Sequence, residues 1–237
     1  EVLWLKHFPG HYDDAGIECW EDHAGQADFR PVFAEHMRKV IFLRRAGNTD
    51  GLRYVSKNNA NIGRIRFLRG LFPGAAFVVP LRHPLEQAIS LLRQHLNFSR
   101  QHAGDPFSRR YMADIGHFEF GELHRPIRFP GFKELAAEKD PGSVDYWLAY
   151  WIAAFEAIAG QAELCLLGFE GLCSDPKPGL QKLLDHLGLQ TGSVGTANAV
   201  RLFRAPPAPR RGEYTFDEVL EERALDLYAS LLERCVV

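Results

Sequence analysis

The sequence predicts an α/β fold with a parallel sheet, on three observations. Short apolar runs alternate with longer stretches of helical periodicity. The run Ala75-Ala76-Phe77-Val78-Val79-Pro80-Leu81 is apolar throughout, as expected of a strand buried on both faces of a parallel sheet. A second such run, Leu164-Cys165-Leu166-Leu167-Gly168-Phe169, follows a strongly aromatic helical segment. The chain has 237 residues, 46% of them hydrophobic and 24% charged, which suits one core and one domain over residues 1–237.

Taken in order, residues 1–30 read as loops with short helical pieces, and Phe33 to Arg44 as a helix. Leu52 to Ser56 reads as a short strand that ends in the polar string Lys57-Asn58-Asn59-Ala60-Asn61. A helix then places Ile62, Ile65, Leu68 and Leu71 on one face and Arg64, Arg66 and Arg69 elsewhere, until Phe72-Pro73-Gly74 stops it. After the strand at 75–81, Arg82-His83-Pro84 opens a helix to about Arg100, with Pro84 suited to its first turn. Residues 101–143, rich in Gly, Pro, His and Phe, read as a long loop excursion. Helices are expected over 144–159, 178–187 and 216–234, and a polar arginine-bearing segment over 190–212.

Composition excludes several classes. A net charge of −2 disfavours a general nucleic-acid or membrane-surface binder, so an anionic ligand has to be met by a local cluster of Arg and Lys. Cys19, Cys165, Cys173 and Cys235 are scattered and complete no metal set, so no metal is expected. No apolar run is long enough to span a membrane. The expected location is the cytoplasm, with the Golgi lumen as the alternative should an anchor precede Glu1.

Arg82 is placed at a strand carboxyl end, where parallel sheets bind ligands, and Ser90 lies two turns into the next helix. Together they can hold a phosphate, through a bidentate guanidinium and a hydroxyl. Lys57 follows the other expected strand and can serve the same crevice.

The stretch Tyr54 to Asn61, the segment Phe72-Pro73-Gly74-Ala75-Ala76-Phe77, and Arg82-His83-Pro84 through Ser90 together resemble sulfotransferases dependent on 3′-phosphoadenosine 5′-phosphosulfate (PAPS), in particular the bacterial and tyrosylprotein-type branch. Phe169-Glu170-Gly171-Leu172-Cys173-Ser174-Asp175-Pro176 and the following Leu187-Gly188-Leu189 are similar to a second family block, with Phe and Gly at two variant positions. The resemblance implies a P-loop-like three-layer fold with a central parallel sheet flanked by helices. It implies that Arg82 and Ser90 bind the 3′-phosphate, and that Lys57 contacts the sulfuryl group and its bridging oxygen. It further implies transfer to a hydroxyl or amine acceptor, small molecule, carbohydrate or peptide, with 3′-phosphoadenosine 5′-phosphate (PAP) as product.

Two features depart from the family. Its Gly- and Ser/Thr-rich phosphosulfate loop has no match here, and the expectation is that this loop and the first strand precede Glu1. No His follows Lys57 at the place where one branch carries its base; Asn59 stands there. Among the upstream candidates Glu1, Glu18, Glu21, His7, His11 and His23, Glu1 is favoured as base, and an apolar pocket would raise its pKa. Arg204, with Arg210 and Arg211, is the candidate to close over the nucleotide. A catalytically inactive sulfotransferase-like binding protein remains the main alternative, and a P-loop nucleotide kinase the lesser one.

Overall fold

A computed structural model describes residues 1–20, 25–44, 52–161, 164–189, 193–205 and 208–237, in a mixed α/β arrangement that is mostly helical. In chain order the first elements are α1 (Val2–His7), β1 (Tyr12–Asp13), β2 (Gly16–Ile17), α2 (Gln26–Arg44) and α3 (Ile65–Leu71). They are followed by β3 (Val78–Leu81), α4 (Pro84–Gly104), α5 (Pro106–Asp114), α6 (Phe132–Leu135) and α7 (Val144–Ala159). The chain continues with β4 (Cys165–Gly168), α8 (Phe169–Ser174), α9 (Pro176–His186), α10 (Ser193–Val200) and α11 (Glu218–Leu232). Two compact units contain them. One comprises Glu1–Ala75, Pro106–Glu119 and Leu123–Arg128, the other Ala76–Asp105, Phe120–Glu122 and Phe129–Val237.

The first unit is organised around Trp4. A six-residue helix such as α1 does not hold itself together in water, and it is fixed here by the aromatic side chain it buries. The Trp4 ring lies 4.6 Å from Phe29 and 5.8 Å from Trp20 and Phe67. Phe29 explains why α2 begins at Gln26 rather than at Phe33: burial of its ring extends the helix toward its N-terminus, across Pro31. The β1–β2 turn is set by Asp13, whose carboxylate accepts the N–H groups of Ala15 and Gly16. Gly16 has φ +149°, and a Cβ there would run into the Pro126 carbonyl oxygen.

In the second unit α7 is apolar over most of its surface, Asp145 and Glu156 apart, with buried residues on every face, and it sits at the centre. Helices α4 and α11 pack against it. Ser143 caps its start by accepting from Tyr146 N–H at 3.3 Å. Beside it β3 and β4 run parallel, with Val78 opposite Cys165 and Leu81 opposite Gly168. The chain's end continues this edge, where Val236 N–H donates to the Leu166 carbonyl at 2.9 Å.

Several sequence expectations need correction. Burial on both faces holds for β4, all four of whose residues are buried, but not for β3, where Val78 is 36% exposed. Among the described residues β3 is bonded along one edge, and Pro80 has no N–H to offer a further strand. Among the described residues the parallel sheet is the pair β3–β4. Leu52 to Ser56 forms no strand, because nothing among the described residues pairs with it, and Val55 is 89% exposed. Residues 101–143 are not a continuous loop: α4 runs on to Gly104, and α5 and α6 follow. No helix among the described residues is long and apolar enough to cross a membrane.

Candidate active site

Arg82 leaves the end of β3, and Pro84 begins α4 two residues later. This turn is tied to the neighbouring strand end by Glu170, which follows β4 and accepts the His83 backbone N–H at 3.0 Å. Tyr228 donates to the other oxygen of Glu170 at 3.4 Å, and burial, with the Glu170 charge beside it, pushes that phenol up to about 12. The Arg82 guanidinium carbon lies 5.3 Å from the centre of the Phe169 ring. Its Nε is buried without a hydrogen-bond partner, so the donor set of Arg82 is incompletely satisfied by the protein.

Arg82 and Ser90 line one cavity of about 440 Å³, a volume in the range of small-molecule sites. Arg93, Arg100 and Arg210 line it too. Glu86, in the first turn of α4, accepts the backbone N–H groups of Arg210 and Arg211 at 2.9 and 3.2 Å. That carboxylate therefore pins the C-terminal arginine segment to the helix that carries Ser90. Arg204 bonds instead to the backbone carbonyls of Arg201 and Phe203, at 2.8 and 3.2 Å. The arginine of this segment that faces the cavity is Arg210.

In the first unit Lys57 is exposed and precedes a 3₁₀ turn, Asn59–Arg64, capped by Asn58. The Asn58 amide donates to Glu1 Oε1 at 2.6 Å, which ties the carboxylate to the backbone neighbour of Lys57. Arg64 binds Glu1 in bidentate fashion, at 2.9 Å to Oε1 and 2.6 Å to Oε2, and Tyr12 donates to Oε2 at 3.2 Å. Each carboxylate oxygen thus accepts two hydrogen bonds, which fills its lone-pair capacity.

Arg64 is wholly buried, its guanidinium carbon 4.4 Å from the ring centres of both Trp4 and Trp20. The sequence places Arg64 on a polar helix face; the structure places it in the core, where cation–π contacts and Glu1 replace its water. Burial of Glu1 acts to raise its pKa, as expected of an apolar pocket. The hydrogen bonds and charge of Arg64, with the Asn58 amide, outweigh burial and hold the carboxyl below its usual range.

The structure brings two groups of the sequence-predicted residues together: Arg82 and Ser90 line one cavity, and Glu1 bonds Asn58, the neighbour of Lys57. The sequence does not reveal Glu86, Arg93, Arg100 or Arg64. For the first three the signal was present, since they recur at helical spacing on the face of α4 that carries Ser90. Arg64 gave none, because its partner Glu1 is remote in sequence. Glu18 bonds Arg128 at 2.9 Å, while Glu21 and His23 lie outside the described residues.

Among the described residues no group of three or more His, Cys, Asp or Glu side chains is arranged to hold a metal ion. Neither a search of curated proteins nor one of solved structures found a match. A family model described as "Sulfotransferase family" matches residues 4–192, a span that includes Lys57, Arg82, Ser90 and Glu170. A match over that much of the 237 residues makes the chain a member of the sulfotransferase family.

Proposed function

We propose that the protein transfers a sulfuryl group from PAPS to a hydroxyl or amine acceptor, and that residues 1–237 form one P-loop-like sulfotransferase domain built on a central parallel sheet. The observation that carries the choice of donor is the buried, unpartnered Nε of Arg82 beside a cavity shared with Ser90 and Arg210. A phosphate fits that donor set: guanidinium groups bind its oxygens in bidentate fashion and the Ser90 hydroxyl adds a further bond. A nucleotide carrying a 3′-phosphate would be told from AMP by that group alone.

Lys57 stabilises charge on the phosphate oxygen that leaves as the bond from acceptor oxygen or nitrogen to sulfur forms and the sulfur–oxygen bond of the donor breaks. Glu1 receives the acceptor proton. Held ionised by Arg64, it is a ready hydrogen-bond acceptor at neutral pH. The contact an incoming hydroxyl would replace is the longest it makes, that with Tyr12. Positioning and fixed charge supply the catalysis, as in phosphoryl transfer. Arg204 stays with Arg210 on the segment proposed to border the nucleotide, and a cytoplasmic location is part of the same proposal.

Calorimetric titration with PAP, with AMP as control and beside Arg82→Ala, tests the donor. Binding of PAP that exceeds binding of AMP and disappears in the variant supports it. Equal affinity for the two nucleotides removes PAPS from consideration. Tight PAP binding without sulfuryl transfer to any of a panel of phenols, sugars and peptides would favour the non-catalytic alternative.

A further inference from the structure

The outward face of α4 does not end at Ser90. Glu86, Ser90, Arg93, Asn97 and Arg100 follow one another at spacings of three or four residues, so they form one row along the helix. All five line the same cavity. At ~1.5 Å rise per residue the stretch from Ser90 to Arg100 is about 15 Å long. Bonds to one phosphate span only about 2.7–2.9 Å from each oxygen, so a single phosphate cannot engage the whole row.

Charge leads to the same result. Arg82, Arg93, Arg100 and Arg210 face the cavity, and the carboxylate among its lining residues, Glu86, is already bonded to two backbone N–H groups. Arg93 and Arg100 are exposed and have no carboxylate partner among the described residues; Arg100 Nε reaches the Leu96 carbonyl of its own helix at 3.4 Å. A phosphate monoester brings about −2 at neutral pH, which Arg82 and Arg210 can balance without the other two. The row also leads away from the strand ends, where ligands of parallel sheets place their reacting groups.

We propose that Arg93 and Arg100, with Asn97 between them, form a second anion subsite that takes a sulfate or phosphate ester group of a ligand other than the nucleotide. The inference depends on the proposed function only in giving the nearer half of the cavity to a 3′-phosphate. The group arrives either on an acceptor that is itself anionic or as a free oxoanion, and the chemistry recognised is the same.

The test is calorimetry on the full chain with two probes, sucrose octasulfate and inorganic sulfate, with and without saturating PAP. In the Arg93→Ala, Arg100→Ala double variant, octasulfate affinity should fall tenfold or more while PAP affinity stays within threefold. Both positions are exposed on a helix and alanine is a good helix former, so the variant should fold. Arg38→Ala, Lys39→Ala, which removes two exposed cations of α2, should leave octasulfate binding unchanged. Inorganic sulfate bound in the same residue-dependent way would identify a free oxoanion as sufficient; octasulfate alone would point to an anionic acceptor. Octasulfate binding that survives the double variant, falls equally in the α2 control, or is abolished by PAP overturns the subsite. Absence of PAP binding with the arginine dependence intact overturns only the donor assignment.

Discussion

Arg64 lies wholly buried between two indole rings, with Glu1 and Tyr12 on its terminal nitrogens. Arg82 stands at a strand end beside a cavity, with its Nε unpaired. The first guanidinium is neutralised inside the protein, and its charge does structural work. The second shares its cavity with Arg93, Arg100 and Arg210, and its charge is left for something the protein does not supply. Both guanidiniums bury an Nε with no hydrogen-bond partner, so what separates them is charge. A buried cation paired with a carboxylate belongs to the fold; one beside a cavity, with no carboxylate partner among the described residues, marks a place for a ligand.

Breaking the first arrangement should cost most. Arg64→Met keeps much of the stem packing against Trp4 and Trp20 but strands the Glu1 carboxylate among buried groups. Loss of one partner of a buried pair typically costs about 3–5 kcal/mol, so urea denaturation should show an unfolding free energy lower by that order, or a chain that no longer folds. Glu1→Gln in combination with Arg64→Met should recover part of the loss, because neither buried charge then remains.

The same pair predicts how stability depends on pH. Glu1 titrates below its usual value of 4.5 in the folded protein. A group with a depressed folded pKa contributes stability that is present above its unfolded value and is lost as pH falls through the folded one. Denaturation midpoints should therefore decline as pH falls below about 4.5, and Glu1→Gln should flatten the part of that decline due to this group. An unchanged slope in Glu1→Gln would mean that the ion pair does not carry the acid sensitivity.

Arg82→Ala sharpens the contrast from the other side. A charge-assisted bond contributes about 1.5–3 kcal/mol, so PAP should bind roughly ten- to a hundredfold more weakly. Stability should change far less than in Arg64→Met, since what is lost is a contact with Phe169 and a nitrogen with no partner. A large stability loss with unaltered PAP affinity would reverse the roles assigned to the two arginines.

The difference between the two arginines is also the difference between what could and could not be read in the sequence. The neighbourhood of Arg82 and Ser90 was legible because their placement depends on local structure, a strand end and a position two turns into the helix that follows it. Arg64 was not, since its burial depends on Glu1, Trp4 and Trp20 meeting it from distant parts of the chain, and a lone Arg at helical spacing looks like any solvated one. The helix over 144–159 was legible to the residue, because it is apolar and aromatic along most of its length and capped by Ser143. The strand expected at 52–56 was not, because a strand exists only with a partner, and pairing is a property of the whole chain. The reading of β3 as buried on both faces failed for the same reason: its composition reports apolarity, not which edges are covered.

The smallest of these effects concerns Glu86. Its carboxylate accepts the backbone N–H groups of Arg210 and Arg211 and so holds the segment that brings the Arg210 side chain to the cavity. Glu86→Ala leaves every proposed phosphate ligand in place and removes only the anchor. Each lost hydrogen bond of this kind is worth about 1 kcal/mol, part of it regained when water binds the freed N–H groups. PAP affinity should therefore fall by about three- to tenfold, less than in Arg82→Ala. Glu86→Gln, which retains one acceptor oxygen, should recover most of it. The decisive comparison is the double variant Glu86→Ala, Arg210→Ala. If Glu86 acts by positioning Arg210, removing both should cost no more than removing Arg210 alone. If the two losses add in full, Glu86 acts on the nucleotide by some other route, and the segment 208–211 is not the element it positions.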